Sequence, residues 1–164
     1  MSLQQHLPPR LRHRARGFTL VESMVALVVV SVGMLGIAGL YVTGIKSGRS
    51  ALLRTQAVNL ASDIADRIRS NRTALVNYDM ATYGGAPAVQ GCVNGPCTDA
   101  QLAEDDLARW QAAVQAQLPG RPLATCNVVF TDVAAPNPDR YAITVSWQEG
   151  GQDNVSTYTL VVEQ

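Results

Sequence analysis

The chain has 164 residues, 47% of them hydrophobic, and its 13 Lys and Arg balance its 13 Asp and Glu, so the formal net charge is zero. This length is sufficient for one domain of ordinary size. The balance hides an asymmetry, because four arginines and no acid precede Gly17, which leaves a net charge of −4 on the rest of the chain. That charge excludes a general electrostatic attraction to nucleic acid phosphates, and no nucleic acid partner is expected.

The N-terminus joins a basic segment to an apolar one. Arginines stand at positions 10, 12, 14 and 16, and Glu22 is the only charged residue between positions 18 and 45. About 20 apolar residues are enough to span a bilayer as a helix. The positive-inside rule then places residues 1–17 in the cytoplasm and everything after the apolar run outside it.

Three kinds of N-terminal segment could produce this pattern. A secretory signal peptide needs a short apolar core and a small-residue cleavage site, whereas this run is long and has no clear A-x-A stop. A plain signal anchor leaves Glu22 unexplained, because a carboxylate near the start of a membrane helix costs a few kcal/mol and is by default functional. A membrane anchor that is cut just before the apolar run explains both features.

The residues Gly17-Phe18-Thr19-Leu20-Val21-Glu22 resemble the cleavage motif of type IV prepilins. The resemblance implies that a prepilin peptidase cuts between Gly17 and Phe18 on the cytoplasmic side and that Phe18 is then N-methylated. Cleavage creates a positively charged amine in apolar surroundings, where a charge must be paired. Glu22, the signature acidic position of the family, can pair with this amine in its own chain or in a neighbour. The resemblance implies that pairing with the neighbour sets the axial register during assembly.

A long helix is predicted to follow the cleavage motif. No proline occurs between positions 18 and 86, and apolar residues recur at helical spacing at Leu53, Ala57, Leu60, Ile64 and Ile68. The pattern predicts one nearly continuous helix from about Phe18 to about Arg72. Its first half, residues 18–45, is expected in the membrane and later in a filament core. Its second half, residues 46–72, is expected to pack on a globular part formed by residues 73–164.

The three cysteines, Cys92, Cys97 and Cys126, allow one disulfide and leave one thiol. A domain exported to an oxidising compartment is expected to close a pair. Residues 71–96 read mostly as a loop, and the turn-like Val-Asn-Gly-Pro between Cys92 and Cys97 favours that pairing. A bond from either residue to Cys126 stays open. The C-x4-C spacing without a nearby histidine predicts neither a metal site nor a redox pair, and no cofactor is expected.

A second helix is predicted to begin at Thr98. Thr98 and Gln101 have the spacing of a capping box, and Pro119-Gly120 ends the helix. One face is apolar, through Ala103, Leu107, Trp110, Val114 and Leu118. Trp110 is interpreted as a core residue rather than a ligand-stacking one. The acidic cluster Glu104-Asp105-Asp106 lacks the alternating oxygens and the glycine of a calcium loop, and is interpreted as a solvated start of the helix.

The remaining segments are predicted to be strands. Residues 125–131, 141–147 and 157–163 are rich in Val, Ile, Thr, Tyr and Trp, and Gly150-Gly151 marks a hairpin loop between the last two. Ile143, Val145 and Trp147 alternate with polar residues, so one face is buried. The predicted fold class is α+β and pilin-like, with a long N-terminal helix packed on a C-terminal antiparallel sheet and a second, shorter helix.

Further segments are similar to the family called type IV pilus modification protein PilV. They are residues 61–72, residues 102–110, Leu118-Pro119-Gly120 and the late strand that ends at Trp147. The resemblance implies a low-abundance subunit, or minor pilin, of the type IV pilus. Before assembly such a subunit crosses the inner membrane once, with its N-terminus in the cytoplasm and its head in the periplasm. After assembly it lies in the filament, including its tip.

The same resemblance implies a set of partners. They are the prepilin peptidase, other minor and major pilins, the inner membrane, and the pilus assembly machinery in that membrane. Minor pilins of this kind are expected to form a complex that primes assembly of the pilus. The pilus in turn supports twitching, adhesion and DNA uptake.

Three other functions are weighed against this one. A minor pseudopilin of the type II secretion system shares the leader, the helix and the assembly mechanism, and the block at residues 63–72 together with Trp110 and Trp147 disfavours it. A DNA-capturing minor pilin needs exposed cations among aromatic residues, but only three arginines follow position 73. No histidine follows the leader, and there is no G-x-S-x-G or phosphate-binding loop, so no enzyme and no catalytic residue is predicted.

Overall fold

The fold is α+β, as the sequence predicts, with a long helix, a shorter helix and a three-stranded antiparallel sheet. It is seen in a computed structural model that describes residues 17–120, 122–134, 136–149 and 154–164. The helices are α1 (Leu20–Ser70) and α2 (Asp99–Gln117), with short 3-10 helices at Arg72–Tyr78 and Met80–Tyr83 between them, and the strands are β1 (Thr125–Thr131), β2 (Arg140–Gln148) and β3 (Val155–Glu163). Contacts between residues divide the chain into two compact units, with the boundary between Ile45 and Lys46.

Helix α1 confirms the predicted long helix to within two residues at each end. In the second unit its buried residues are Leu53, Ala57, Leu60, Ala61, Ile64, Ala65 and Ile68. They include every position of the predicted apolar stripe. The helix ends where the backbone N–H of Asn71 donates to the carbonyl of Arg67 at 3.1 Å. The 3.6-residue period of the apolar pattern therefore determines which face of α1 is covered.

Helix α2 begins with the predicted capping box. The Thr98 hydroxyl accepts from the backbone N–H of Gln101 at 3.3 Å, and the Gln101 side chain accepts from the backbone N–H of Thr98 at 3.0 Å. Trp110 is 1% exposed, and its Nε1–H donates to the carbonyl of Leu60 in α1 at 2.8 Å. The interpretation of Trp110 as a core residue is confirmed. Its indole supplies both apolar area and a hydrogen bond that joins the two helices.

The sheet has the strand order β1-β2-β3, and both pairs are antiparallel. The predicted alternation in β2 is confirmed, since Tyr141, Ile143, Val145 and Trp147 are buried and the residues between them are half-buried. The buried face of the sheet joins α1 and α2 in one hydrophobic cluster. The predicted hairpin glycines, Gly150 and Gly151, lie outside the described residues.

Residues 71–96 contain more regular structure than the predicted loop, because two 3-10 helices form there. Asp79 separates them, and its carboxylate accepts from the backbone N–H of Ala81 at 2.8 Å and of Phe130 in β1 at 3.1 Å. Leu75 has a positive φ of 42°, and its carbonyl accepts from the Tyr141 hydroxyl at 3.2 Å. Such short helices carry too few turns to produce a period in the sequence, and tertiary contacts stabilise them.

The interpretation of Glu104-Asp105-Asp106 as a solvated helix start is wrong. Asp105 is 2% exposed, and its Oδ1 accepts from the backbone N–H groups of Gln90 at 2.7 Å and Gly91 at 3.0 Å. Its Oδ2 accepts from Arg109 Nε at 2.6 Å. The hydrogen bond from Arg109 outweighs the opposing effect of burial and, with the two backbone N–H groups, lowers the pKa of Asp105 below its ordinary value of 3.8. The carboxylate therefore holds the loop before α2 against the helix.

Asp106 binds in the other direction, toward α1. Its Oδ1 accepts from Arg67 Nη1 at 2.9 Å, and its Oδ2 accepts from the Tyr78 hydroxyl at 2.8 Å. Burial, together with the hydrogen bond to Asp106, raises the pKa of Tyr78, so the hydroxyl stays a donor at neutral pH. Arg67 also pairs with Asp63, four residues earlier in α1, at 3.1 Å. The acidic cluster therefore binds the loop before α2 on one side and α1 with Tyr78 on the other. The N–H and O–H donors of these segments need acceptors once packing removes them from water.

The structure joins Cys92 and Cys97 in a disulfide, with their Cα atoms 5.6 Å apart. This is the pairing that the turn-like sequence between them favours. Cys126 remains a free, half-buried thiol at the second position of β1, where it pairs in register with Val145. Burial raises the pKa of the Cys126 thiol to about 12.

We expect Cys126 to react slowly with alkylating reagents in the folded protein. At pH 8, a thiol whose pKa is about 12 rather than the ordinary 9.0 holds about a thousandfold less of the reactive thiolate. Alkylation by iodoacetamide, followed by mass spectrometry with the Cys92–Cys97 disulfide intact, measures this rate. The same protein in urea serves as the control, and equal rates in the two conditions would show that the thiol is not protected by the fold.

Candidate processing and assembly site

The predicted cleavage position lies just before α1. Gly17, Phe18 and Thr19 are outside the helix and exposed, and the Phe18 side chain is 82% exposed. A peptide bond between Gly17 and Phe18 is therefore not held in helical hydrogen bonding. Building a side chain at Gly17 meets no atom of the described chain within 4 Å. Nothing in the described residues therefore requires a glycine at this position.

Thr19 begins the helix. Its hydroxyl accepts from the backbone N–H of Glu22 at 3.3 Å, and its carbonyl accepts from the backbone N–H of Ser23 at 3.2 Å. Sequence reasoning did not identify this cap, although Thr19-x-x-Glu22 has the spacing of a capping motif. The cap places Glu22 in the first turn, where the helix dipole favours a negative charge.

Glu22 and Phe18 line the same surface groove of the helix. The lining residues are Phe18, Glu22, Ser23, Ala26, Leu27 and Val30. Four of these residues, Phe18, Glu22, Ala26 and Val30, are spaced four positions apart, which is the spacing of one helix face. Within the described part of the chain, the Glu22 carboxylate makes no ion pair or hydrogen bond. It is free to bind a cation supplied at this end of the helix.

The first unit presents apolar side chains on every side of the helix. Its large hydrophobic residues between positions 18 and 45 are 53% to 82% exposed. A helix that is apolar all round requires apolar surroundings. Of the helices in the described residues, α1 alone is long and apolar enough, by length and composition, to cross a membrane. Its exposed hydrophobic surface therefore fits an anchor or a helix bundle rather than contact with water.

Two hydroxyl groups inside this apolar segment, those of Ser31 and Thr43, are satisfied within the helix. Ser31 Oγ donates to the carbonyl of Leu27 at 2.7 Å, and Thr43 Oγ1 donates to the carbonyl of Gly39 at 3.0 Å. Such bonds allow a serine or threonine to face lipid without an unpaired donor. Glu22 is the one charged group of the segment, and its charge needs a partner from outside the helix.

The structure thus brings Gly17, Phe18 and Glu22 together at the start of α1. The cysteines do not belong to this site, since Cys92, Cys97 and Cys126 all lie in the second unit.

Comparisons with known families match two adjoining segments of the chain. Residues 12–38 match the family described as the prokaryotic N-terminal methylation motif, and residues 39–108 match the family of type IV pilin Tt1218. No match was found among curated proteins or among solved structures. The two family matches support a type IV pilin, anchored by its apolar helix, and imply processing by a prepilin peptidase and assembly with other pilins. They suggest a structural rather than an enzymatic role, and the narrower resemblance to the PilV family stays a prediction.

Proposed function

We propose that this chain is a minor pilin of the type IV pilus, cut between Gly17 and Phe18, N-methylated on Phe18, and used to prime filament assembly. The observation that carries the proposal is the joint placement of Gly17, Phe18 and Glu22 at the exposed start of an apolar helix. The finer assignment, to a minor subunit that resembles the PilV family, rests on residues 61–72 and on the later segments that share its pattern.

Cleavage changes the charge at the cytoplasmic end of the helix. It removes the four arginines of residues 1–17 and leaves one new amine on Phe18. Several arginines cannot enter an apolar helix bundle without a large cost, because each one needs a partner there. A single amine can be neutralised by a single carboxylate. Cleavage therefore converts a segment that is held at the membrane surface into one that can enter a filament core.

Glu22 provides the carboxylate. In the bilayer it can pair with the amine of its own chain, four residues before it. In the filament it pairs with the amine of a neighbouring subunit, which fixes the axial position of one subunit against the next. An ion pair in apolar surroundings fixes this position strongly, because leaving either charge unpaired costs several kcal/mol.

The four segments of the chain then have separate roles. Residues 1–17 are the leader, residues 18–45 are the membrane and filament-core half of α1, residues 46–72 carry the head, and residues 73–164 form it. The subunit starts in the inner membrane with its head in the periplasm, where the assembly machinery and other pilins bind it. It then enters the filament, including its tip, and contributes to twitching, adhesion or DNA uptake.

Intact-mass and N-terminal analysis of the protein from native membranes tests this function. We expect a chain that starts at methylated Phe18 in the presence of the prepilin peptidase, and a full-length chain in its absence. Gly17→Val should stay full-length even with the peptidase. Because a side chain at Gly17 meets no atom of the described residues within 4 Å, the block would reflect recognition by the peptidase.

Gly48→Val is the matched control. Position 48 lies on α1, outside the apolar segment, and a side chain there also meets no atom within 4 Å. This variant should be cut normally. A wild-type chain that stays uncut, or one cut after the apolar run, would contradict the proposed precursor and favour a plain anchored or secreted domain.

A further inference from the structure

Three cations follow the apolar segment of α1 directly. Lys46, Arg49 and Arg54 are the first charged residues after Glu22, and they end an uncharged stretch of 23 residues. All three side chains are exposed. Within the described chain, none of them makes an ion pair or a side-chain hydrogen bond. We refer to these three residues as the basic collar.

The collar differs from most of the later cations in having no ion-pair partner among the described residues. Four later arginines each pair with a carboxylate, namely Arg67 and Arg69 in α1 and Arg109 and Arg140 in the head. Around the collar no acidic residue occurs in the sequence between Glu22 and Asp63. Ser50, next to Arg49, donates from its Oγ to the buried carboxylate of Glu149 at 2.8 Å, and Glu149 forms no ion pair in the described residues. The collar is thus a local excess of positive charge on the surface of α1.

The length of the uncharged stretch places the collar at a defined depth. Twenty-three helical residues extend about 35 Å, while the hydrocarbon core of a bilayer is about 30 Å thick. With Glu22 at the cytoplasmic edge, Lys46 and Arg49 reach the level of the lipid headgroups on the far side. Arg54 lies about 12 Å beyond Lys46 along the helix axis. Its long side chain remains within about one Debye length of the headgroups.

We propose that the basic collar binds the anionic headgroups of phospholipids in the outer leaflet of the inner membrane. The proposal rests on membrane insertion of α1, which is part of the proposed function. Guanidinium groups bind phosphate oxygens in a bidentate manner, and Lys adds a point charge. Each cation near an anionic membrane surface favours anionic over neutral lipid by about fivefold. This contact holds the subunit at a fixed depth until assembly draws it out.

The test compares lipids that remain bound to the full-length chain. The protein is reconstituted into nanodiscs of equimolar phosphatidylcholine and phosphatidylglycerol with identical acyl chains, and retained lipids of each class are counted by native mass spectrometry. The wild-type chain should retain more phosphatidylglycerol. In K46Q/R49Q/R54Q the ratio of phosphatidylglycerol to phosphatidylcholine should fall by at least about fivefold. Arginines in the leader bind the same lipids in both proteins, so they reduce the measured fall in the ratio but cannot produce one.

Arg72→Gln is the matched control, because Arg72 is exposed, has no ion-pair partner in the described residues and lies 26 positions beyond Lys46. Its lipid ratio should equal that of the wild type. A wild-type ratio near one, or an unchanged ratio in the triple variant, would overturn the proposal. If the triple variant keeps the wild-type lipid ratio but is no longer incorporated into filaments, the collar binds a neighbouring subunit and the proposal is also overturned.

Two further measurements separate the possible failures. Resistance to alkaline extraction from vesicles reports membrane insertion of α1, so a chain that is extracted contradicts the proposed function itself. A chain that inserts but shows no lipid preference contradicts only the role of the collar. Inorganic phosphate at millimolar concentration should not displace the lipid, and displacement would show a site for free phosphate and overturn the lipid assignment.

Discussion

Replacing Glu22 with alanine is expected to leave cleavage after Gly17 largely intact and to reduce incorporation into filaments by at least about tenfold. The amine of a neighbouring Phe18 would lose its counter-charge in apolar surroundings, and breaking such a pair typically costs about 3–5 kcal/mol. The helix itself is little affected, because the high helix propensity of alanine offsets the loss of the negative charge at the helix N-terminus. The Glu22 carboxylate also makes no hydrogen bond or ion pair in the described residues that the substitution would remove.

The measurement is the amount of the subunit in sheared pili relative to the amount of processed subunit in the membrane. Ser23→Ala is the matched control, since Ser23 lines the same groove and its hydroxyl only approaches the carbonyl of Thr19 in its own helix, at 3.5 Å. Normal incorporation of Glu22→Ala would refute the charge-pairing mechanism. Loss of cleavage in this variant would instead assign Glu22 to peptidase recognition.

Asp105→Asn is expected to destabilise the head by about 3 kcal/mol. If the asparagine oxygen takes the place of Oδ1, it still accepts both backbone N–H groups, but its amide N–H groups face the guanidinium of Arg109. If it takes the place of Oδ2, its amide N–H groups face the N–H groups of Gln90 and Gly91. A buried donor is left without an acceptor in both cases. Arg109 is partly exposed, so water compensates for some of the lost charge pairing. The expected loss of unfolding free energy therefore lies at the low end of the about 3–5 kcal/mol typical of a broken buried ion pair.

Urea unfolding of the full chain in detergent, followed by near-ultraviolet circular dichroism, measures this effect. Both tryptophans, Trp110 and Trp147, are buried in the second unit, so the signal reports on the head. Asp66→Asn provides the control, because the Asp66 side chain is 75% exposed and pairs with Arg69 at the surface. Its effect should stay within about 0.5 kcal/mol. Equal effects of the two substitutions would show that Asp105 does not hold the loop.

The destabilisation caused by Asp105→Asn is expected to depend on pH. The folded-state pKa of Asp105 lies below the ordinary value of 3.8, so its contribution to stability is present above that pH. The contribution is lost as the pH falls through the folded-state pKa and the carboxylate takes up a proton. The difference in unfolding free energy between the wild type and Asp105→Asn should therefore be constant above about pH 5 and shrink in more acidic solution. A difference that grows on acidification would contradict the lowered pKa.

Much of the fold can be predicted because its signals are local. The apolar stripe of α1, the capping box at Thr98 and the alternation in β2 each appear as a short-range period or spacing, and all three are found in the structure. The candidate site is predictable for the same reason, since Gly17, Phe18 and Glu22 fall within six consecutive residues. A motif of that length needs no knowledge of which distant segments meet.

The head illustrates what local patterns do not contain. Three consecutive acids at the start of a helix are usually solvated, yet Asp105 is among the most deeply buried side chains. Its burial depends on a loop, 14 and 15 residues earlier in the chain, that folds back and presents two backbone N–H groups. Nothing in the residues around Asp105 indicates that these donors will be there.

The sequence by itself determined the long helix, the membrane-length apolar segment, the cleavage motif and the three strands, because each depends on residues close together in the chain. Only the tertiary structure decided that Cys92 joins Cys97 and leaves Cys126 free, and that Asp105 and Asp106 bind opposite neighbours. These outcomes depend on which segments pack together. Packing removes water from donors and charges, and each of them must then find its partner among whichever residues the fold has brought near.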